Sequence, residues 1–112
     1  MSQQNLPQYN KIPIVLLDAI ITNQQSDTFP IPVGDVTLEA FINGTGLVSA
    51  TVNIYGCNTK RSTNGILLAT ITLSGTTSDQ AGYSLSSNWG NIYAIASLIS
   101  GTNAAVSVTV GV

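Results

Sequence analysis

Hydrophobic and polar residues alternate along most of this chain, as they do in strands that are buried on one side. The alternating segments cover residues 34–46, 49–56, 66–75 and 103–112. The segment 91–100, NIYAIASLIS, is apolar at both alternating sets of positions, which is typical of a strand covered on both faces. The segment 16–25, LLDAIITNQQ, has consecutive apolar residues and predicts a further strand rather than a helix.

Short turn signals separate these segments. They are Asn43-Gly44, Asn64-Gly65, Ser74-Gly75, Trp89-Gly90 and Ser100-Gly101. Short strands between regularly spaced turns predict an all-β, single-domain antiparallel sandwich or barrel. The predicted core consists of the inward-facing residues Val36, Leu38, Ile42, Val52, Ile54, Leu67, Ile71, Leu73, Ile92, Ile95, Val106 and Val108.

The N-terminus differs from the rest of the chain. Residues 1–11, MSQQNLPQYNK, are rich in Gln and Asn and show no alternation. After Met1, Leu6 and Tyr9 are their only large apolar side chains, so this segment lacks the material to form a core. We therefore predict an extended N-terminal arm over residues 1–11, which gains order by lying on a neighbour through Leu6 and Tyr9, and a β-sandwich domain over residues 12–112.

The composition indicates a surface that is polar but almost uncharged. Ser, Thr, Asn and Gln account for 41 of the 112 residues, whereas charged residues make up 7% and the net charge is −2. Charge keeps copies of a protein apart, and neutral polar groups cost less to bury in an interface than ions do. The composition therefore favours a surface that is covered by partner proteins or by further copies of the chain.

Reactive side chains are scarce. The chain has no histidine, one cysteine (Cys57) and five scattered carboxylates, which argues against an enzyme, a metal site and a bound cofactor. Three basic residues give no footprint for nucleic acid. The most apolar stretch, residues 12–21, is about half the length of a membrane-spanning helix and contains Pro13 and Asp18, so no membrane partner is expected.

Two places stand out as candidate contacts. Lys60 and Arg61 lie between two predicted strands, where they form either the charged tip of a hairpin or a contact with a partner. Trp89, in SSNWGN, is either an aromatic residue that closes one end of the sandwich or a stacking platform for a sugar.

The section from about Thr51 to Val112, over half of the chain, resembles small bacteriophage virion proteins of the capsid decoration, or cement, type. The resemblance rests on the segments IYGCNTKRSTNG, LLATITLSGT, SNWGNIYAIASL and ISGTNAAVSVTVGV, which lie between residue 54 and the C-terminus. The turn that contains Cys57, Lys60 and Arg61 departs from the family pattern, in which this turn is shorter and acidic.

The resemblance implies a jelly-roll-like sandwich on the outer surface of the virion capsid. There it would bind the major capsid protein, stabilise contacts between capsid subunits and form a homo-oligomer, with a trimer favoured. The alternatives are a tail, fibre or collar component of the virion, and a carbohydrate-binding β-sandwich module that uses Trp89.

Overall fold

Three long antiparallel strands form most of the molecule. The structure, a computed structural model, describes residues 13–60 and 64–112. Its strands are β1 (Pro13–Ile20), β2 (Gln24–Gln25), β3 (Phe29–Pro30), β4 (Gly34–Cys57), β5 (Ile66–Ser87) and β6 (Asn91–Gly111). Within these described ranges no helix is long and apolar enough to cross a membrane.

All strands pair antiparallel. The order across the sheet is β1-β6-β4-β5, and the short strands β2 and β3 also pair with β6. Ser26, which is buried between β2 and β3, ties this edge to β6: its backbone N–H donates to the Ala94 carbonyl at 2.8 Å, and its hydroxyl accepts from the Ala94 N–H at 2.9 Å. A buried hydroxyl is thereby satisfied.

The three long strands bend sharply near their middles. A straight strand of the length of β4 would span about 79 Å at 3.3 Å per residue, whereas the longest dimension of the molecule is 46 Å. Pairing of β4 shifts register after Asn43 against both β5 and β6. Residues with positive φ angles lie in the same region: Gly46, Thr77, Leu98, Gly101 and Asn103.

The bend divides the strands between two layers. Sheet I contains β1 and residues 34–43, 78–87 and 103–111, whereas sheet II contains β2, β3 and residues 47–57, 66–76 and 91–100. In sheet I the β6 segment lies between β1 and the β4 segment, and in sheet II it lies between the short strands β2 and β3 on one side and the β4 segment on the other. The β5 segment forms the far edge of both sheets. This is the arrangement of a double-sheet jelly roll. The predicted all-β antiparallel sandwich is therefore confirmed.

One hydrophobic cluster joins the two sheets. Alternate residues of β4 are buried on both sides of the bend, from Val36 to Ile42 in sheet I and from Val48 to Ile54 in sheet II. In a single open sheet these side chains would be exposed to water. The two sheets therefore cover each other's inner faces. Ten of the twelve predicted core residues are buried, while Ile95 is half-buried.

Leu67 was wrongly predicted to be in the core. It is 52% exposed, because the register shifts between Ile54, which pairs with Ala69, and Tyr55, which pairs with Leu67. The extra residue of this bulge, Leu68, packs against the core instead. A one-residue insertion reverses the faces of a strand beyond it.

Three predicted turns and one predicted strand also need correction. Asn43-Gly44, Ser74-Gly75 and Ser100-Gly101 lie inside β4, β5 and β6, where they form the bends. The predicted strand over residues 16–25 is two strands, β1 and β2, separated by residues 21–23. The domain prediction lies partly outside the described residues, because the structure describes nothing before Pro13.

Candidate partner-binding end of the sandwich

Two loops join the sheets at the end of the sandwich that lies opposite the bends. Residues 31–33 and 88–90 each cross from one sheet to the other, and they are tied together by a hydrogen bond from the Ile31 N–H to the Gly90 carbonyl at 2.9 Å. The chain between β4 and β5, of which the structure describes residues 58–60 and 64–65, begins and ends in sheet II at the same end, and it is called the 58–65 loop. We call this region the loop end.

Trp89 closes the loop end against β4. A Cβ atom added at Gly56 would lie 2.6 Å from Cγ of Trp89 and 2.9 Å from a methyl carbon of Leu68. The indole therefore packs directly on the backbone of Gly56, at a distance that no other residue would permit. Trp89 is half-buried, so it also contributes to the outer surface of this end.

The 58–65 loop is anchored at both ends. Nδ2 of Asn91 donates to the Asn58 carbonyl at 3.1 Å, and the Gly65 N–H donates to the phenol oxygen of Tyr93 at 3.1 Å. Cys57, at the end of β4, is fully buried. The described residues on both sides of positions 61–63 are therefore held on the sandwich.

The structure brings two of the predicted contact residues to this end. Lys60 is exposed on the 58–65 loop. Trp89 lies in the turn between β5 and β6, which joins the two sheets. Arg61, Leu6 and Tyr9 lie outside the described residues. Pro13 pairs with Gly111, which also pairs with Thr37 at the start of β4. The start of β1 therefore lies at the loop end.

Exposed apolar residues at the same end were missed by the sequence analysis. Val33 is exposed in the loop before β4, and Ile66 and Leu67 are 54% and 52% exposed at the start of β5. In the sequence, only their position beside turn residues could have indicated that they are exposed, because alternation alone assigns Leu67 to the core. Trp89 and Lys60 lie at the same end, which therefore carries both apolar side chains and a positive charge.

Four of the five carboxylates, Asp18, Asp35, Glu39 and Asp79, lie on strands of sheet I, and Asp27 lies between β2 and β3. Asp79 accepts a hydrogen bond from the Ser74 N–H at 2.9 Å, which fixes the bend of β5, and Asp35 accepts one from the Ser86 hydroxyl. Within residues 13–60 and 64–112, no three metal-ligating side chains gather. The chemistry that the loop end offers is contact area and hydrogen bonding rather than reactive groups.

Comparisons with known proteins were made at three levels. No family model matches the chain, and no curated protein matches it. Similar solved structures include that of the infectious bursal disease virus Gx strain, with a TM-score of 0.44 and 10% identity over 90% of this chain and 31% of that chain. Another is the VP2 subviral particle of infectious bursal disease virus, with a TM-score of 0.42 and 12% identity over 94% of this chain and 33% of that chain. The chain thus spans about a third of the length of these structures.

Proposed function

We propose that this chain is a structural virion protein that decorates the outer surface of a phage head. It binds the major capsid protein as a homo-oligomer, with a trimer favoured, and stabilises contacts between neighbouring capsid subunits. The proposal rests mainly on one observation. A jelly roll with a nearly uncharged surface exposes nine large hydrophobic side chains among its described residues, including Val33, Ile66 and Leu67 at the loop end.

The exposed apolar side chains of the loop end favour a role in assembly. Single exposed apolar residues are common on protein surfaces, but groups of them mark sites of interaction. Trp89 lies at the same end, and aromatic residues are enriched at the centres of interfaces. The neutral Ser, Thr, Asn and Gln residues around them cost less to desolvate than charged ones would.

The outer surface of the capsid suits this chain better than the interior. Packaged DNA is polyanionic, and proteins that face it neutralise phosphates with Lys and Arg. This chain has three basic and five acidic residues, so it offers little to nucleic acid. The proposed role uses no cofactor, no metal and no catalytic residue, and it involves no membrane.

The direct test is binding to heads that lack the protein. Purified chain is mixed with heads assembled without it, the heads are pelleted, and the bound copies per major capsid subunit are counted by quantitative mass spectrometry. Near-stoichiometric, saturable binding with a higher temperature of head disruption is the expected result. Binding of only a few copies per particle would favour a tail, fibre or collar position instead. Absence of binding with retention on glycan columns would favour the carbohydrate-binding alternative.

A matched control separates binding through the loop end from non-specific adsorption. Val33→Ser removes an exposed apolar side chain from the loop end, and Leu47→Ser removes one from the bends. Both residues are exposed, so neither change affects the core. If the loop end faces the capsid, only Val33→Ser lowers the occupancy.

A further inference from the structure

β5 is an open edge of both sheets. Among the described residues it pairs with β4 alone, so the backbone groups on its other side have no strand partner in this part of the chain. The outer backbone groups of an edge strand can pair with a strand of another chain, and monomeric proteins protect such edges with prolines, charged side chains, bulges or very short strands.

The opposite edges are protected in this way. β1 begins at Pro13, carries the exposed Asp18 and has two register shifts against β6. β2 and β3 are two residues long, and β3 ends at Pro30. β5, in contrast, has 22 residues without proline, and its one charged residue is Asp79. Its residues 78–87 pair with β4 without a register shift, so the sheet I half of β5 is a regular edge.

The same half of β5 leaves part of the inner face of sheet I uncovered. Ala81, Tyr83 and Leu85 pair with buried residues of β4, so their side chains lie on the inner face. Ala81 and Leu85 pack against the core but are only half-buried, and Tyr83 is 44% exposed. In the sheet II half of β5 the inward-facing Ile71 and Leu73 are buried. A strand added beside β5 in sheet I would cover the uncovered row.

We propose that residues 80–86 pair antiparallel with the same residues of a second copy, so that sheet I continues from one copy into the other. Tyr83 of each copy lies opposite Tyr83 of the other, Ala81 lies opposite Leu85, and Gln80 lies opposite Ser86. In this register apolar residues meet on the inner face and neutral polar residues meet on the outer face, as stable cross-strand neighbours do.

A second copy fits this edge because the segment is complementary to itself. Residues 80–86 contain no charged residue, and Asp79 lies outside them, so like charges do not face each other. Backbone hydrogen bonds supply affinity when a strand is added to an open edge, and the alternate side chains supply specificity. The contact uses none of the residues named at the loop end, which stay available to the capsid. It has twofold symmetry, so it is separate from the threefold contact of the proposed trimer and joins copies of two trimers.

Disulfide trapping tests the contact in the purified protein alone. Opposed residues of antiparallel strands have Cα atoms about 4.5–5.5 Å apart, which is within the range of a disulfide. Tyr83→Cys should therefore form a linked dimer under mild oxidation. Val15→Cys, at an exposed position on β1 at the far edge of sheet I, is the matched control and should not. The starting protein, whose Cys57 is fully buried, gives the background.

Two further variants test the register. Gln80 and Ser86 are both exposed. In the proposed register each lies opposite the other, whereas each is about 20 Å from the same residue of the second copy. An equimolar mixture of Gln80→Cys and Ser86→Cys should therefore give mainly the mixed dimer, which mass spectrometry distinguishes, and each variant alone should give little.

Charges at the symmetry axis give an independent measure. Tyr83→Lys and Tyr83→Glu each place like charges opposite each other and should weaken self-association, measured by sedimentation, at least about tenfold. Their equimolar mixture places opposite charges there and should return to within about threefold of the starting protein. Circular dichroism checks that every variant is folded.

Tyr83→Cys that links no more than Val15→Cys would overturn the proposal and leave this edge to the capsid protein. A mixture of Gln80→Cys and Ser86→Cys without an excess of the mixed dimer would overturn it as well, as would undiminished association of Tyr83→Lys. Since no heads are present, a negative result here leaves the proposed capsid role to its own test.

Discussion

Tyr93 stacks on Tyr55 with ring centroids 5.1 Å apart and ring planes 13° from parallel. The two residues pair across β4 and β6 on the outer face of sheet II. The Tyr93 hydroxyl accepts the hydrogen bond from the Gly65 N–H, so the stack also holds the end of the 58–65 loop. The loop that carries Lys60 is therefore positioned by the sheet and not only by its own turn residues.

Removing the Tyr93 hydroxyl should loosen the loop without disturbing the stack. Tyr93→Phe keeps the ring but leaves the Gly65 N–H without its acceptor, so we expect a loss of about 0.5–1.5 kcal/mol in the free energy of unfolding. Urea denaturation measures this loss. Tyr83→Phe, at an exposed position, is the control and should change stability by less than about 0.5 kcal/mol. Equal effects of the two changes would mean that the Gly65 contact contributes nothing.

Two leucine-sized residues of β5 should respond very differently to truncation. Ile71 is buried in the core, so Ile71→Ala should cost about 2–5 kcal/mol in the free energy of unfolding. Leu67 lies beyond the bulge and is exposed, so Leu67→Ala should cost less than about 0.5 kcal/mol. Denaturant unfolding of both variants checks the register. A large loss at Leu67 would place the bulge elsewhere in β5.

Gly75 should be irreplaceable at the bend of β5. A Cβ at this position would lie 2.2 Å from the Ser78 carbonyl oxygen, a backbone atom that cannot move aside without opening the bend. Gly75→Ala should therefore destabilise the protein by about 1–3 kcal/mol or more. At Gly82, in the same strand, the nearest atom would be 3.6 Å away, an ordinary contact. Gly82→Ala should be neutral or stabilising by up to about 1 kcal/mol. The melting temperatures of the two variants test this difference in stability, and an equal decrease in both would contradict it.

Replacing both Lys60 and Arg61 with Ser should leave the fold intact. Lys60 is exposed and the loop is anchored through other residues, so we expect a change within about 0.5 kcal/mol. Binding of the double variant to heads, measured beside the starting protein, should be weaker. Full occupancy would indicate that the two charges serve only to keep the hairpin tip hydrated, and loss of folding would contradict its placement at a tip.

Deleting residues 1–11 should leave the sandwich folded, because the described strands and their core begin at Pro13. We expect the truncated chain to attach more weakly to heads or to itself, since ordering a segment costs about 1–2 kcal/mol per residue and is recovered only through contacts with a neighbour. A binding titration against heads measures this. Equal occupancy and equal heat resistance of the heads would show that the segment is a passive tail.

Alternation in the sequence was enough to predict the class of fold and most of its core. Val36, Leu38 and Ile42 repeat every second residue, and only a strand with one buried face satisfies that period. The neutral composition, likewise, could be read directly. The Ser-rich second half of β5, residues 78–87, was not recognised as a strand, because it forms the edge of sheet I and needs little apolar material to pair with β4.

Tertiary structure decided which turn signals reverse the chain and which only bend it. Asn64-Gly65 belongs to a loop that reverses the chain, whereas Ser74-Gly75 lies within β5, although both pairs have the residues of a turn. The difference lies in hydrogen bonds to neighbouring strands, which continue across the second pair and fold one continuous sheet into two layers. The same long-range pairing places Lys60, Trp89 and the start of β1 at one end of the molecule. Local sequence determines which backbone conformations are open to each residue, but the partners that satisfy the backbone across the sheet decide how the strands are joined.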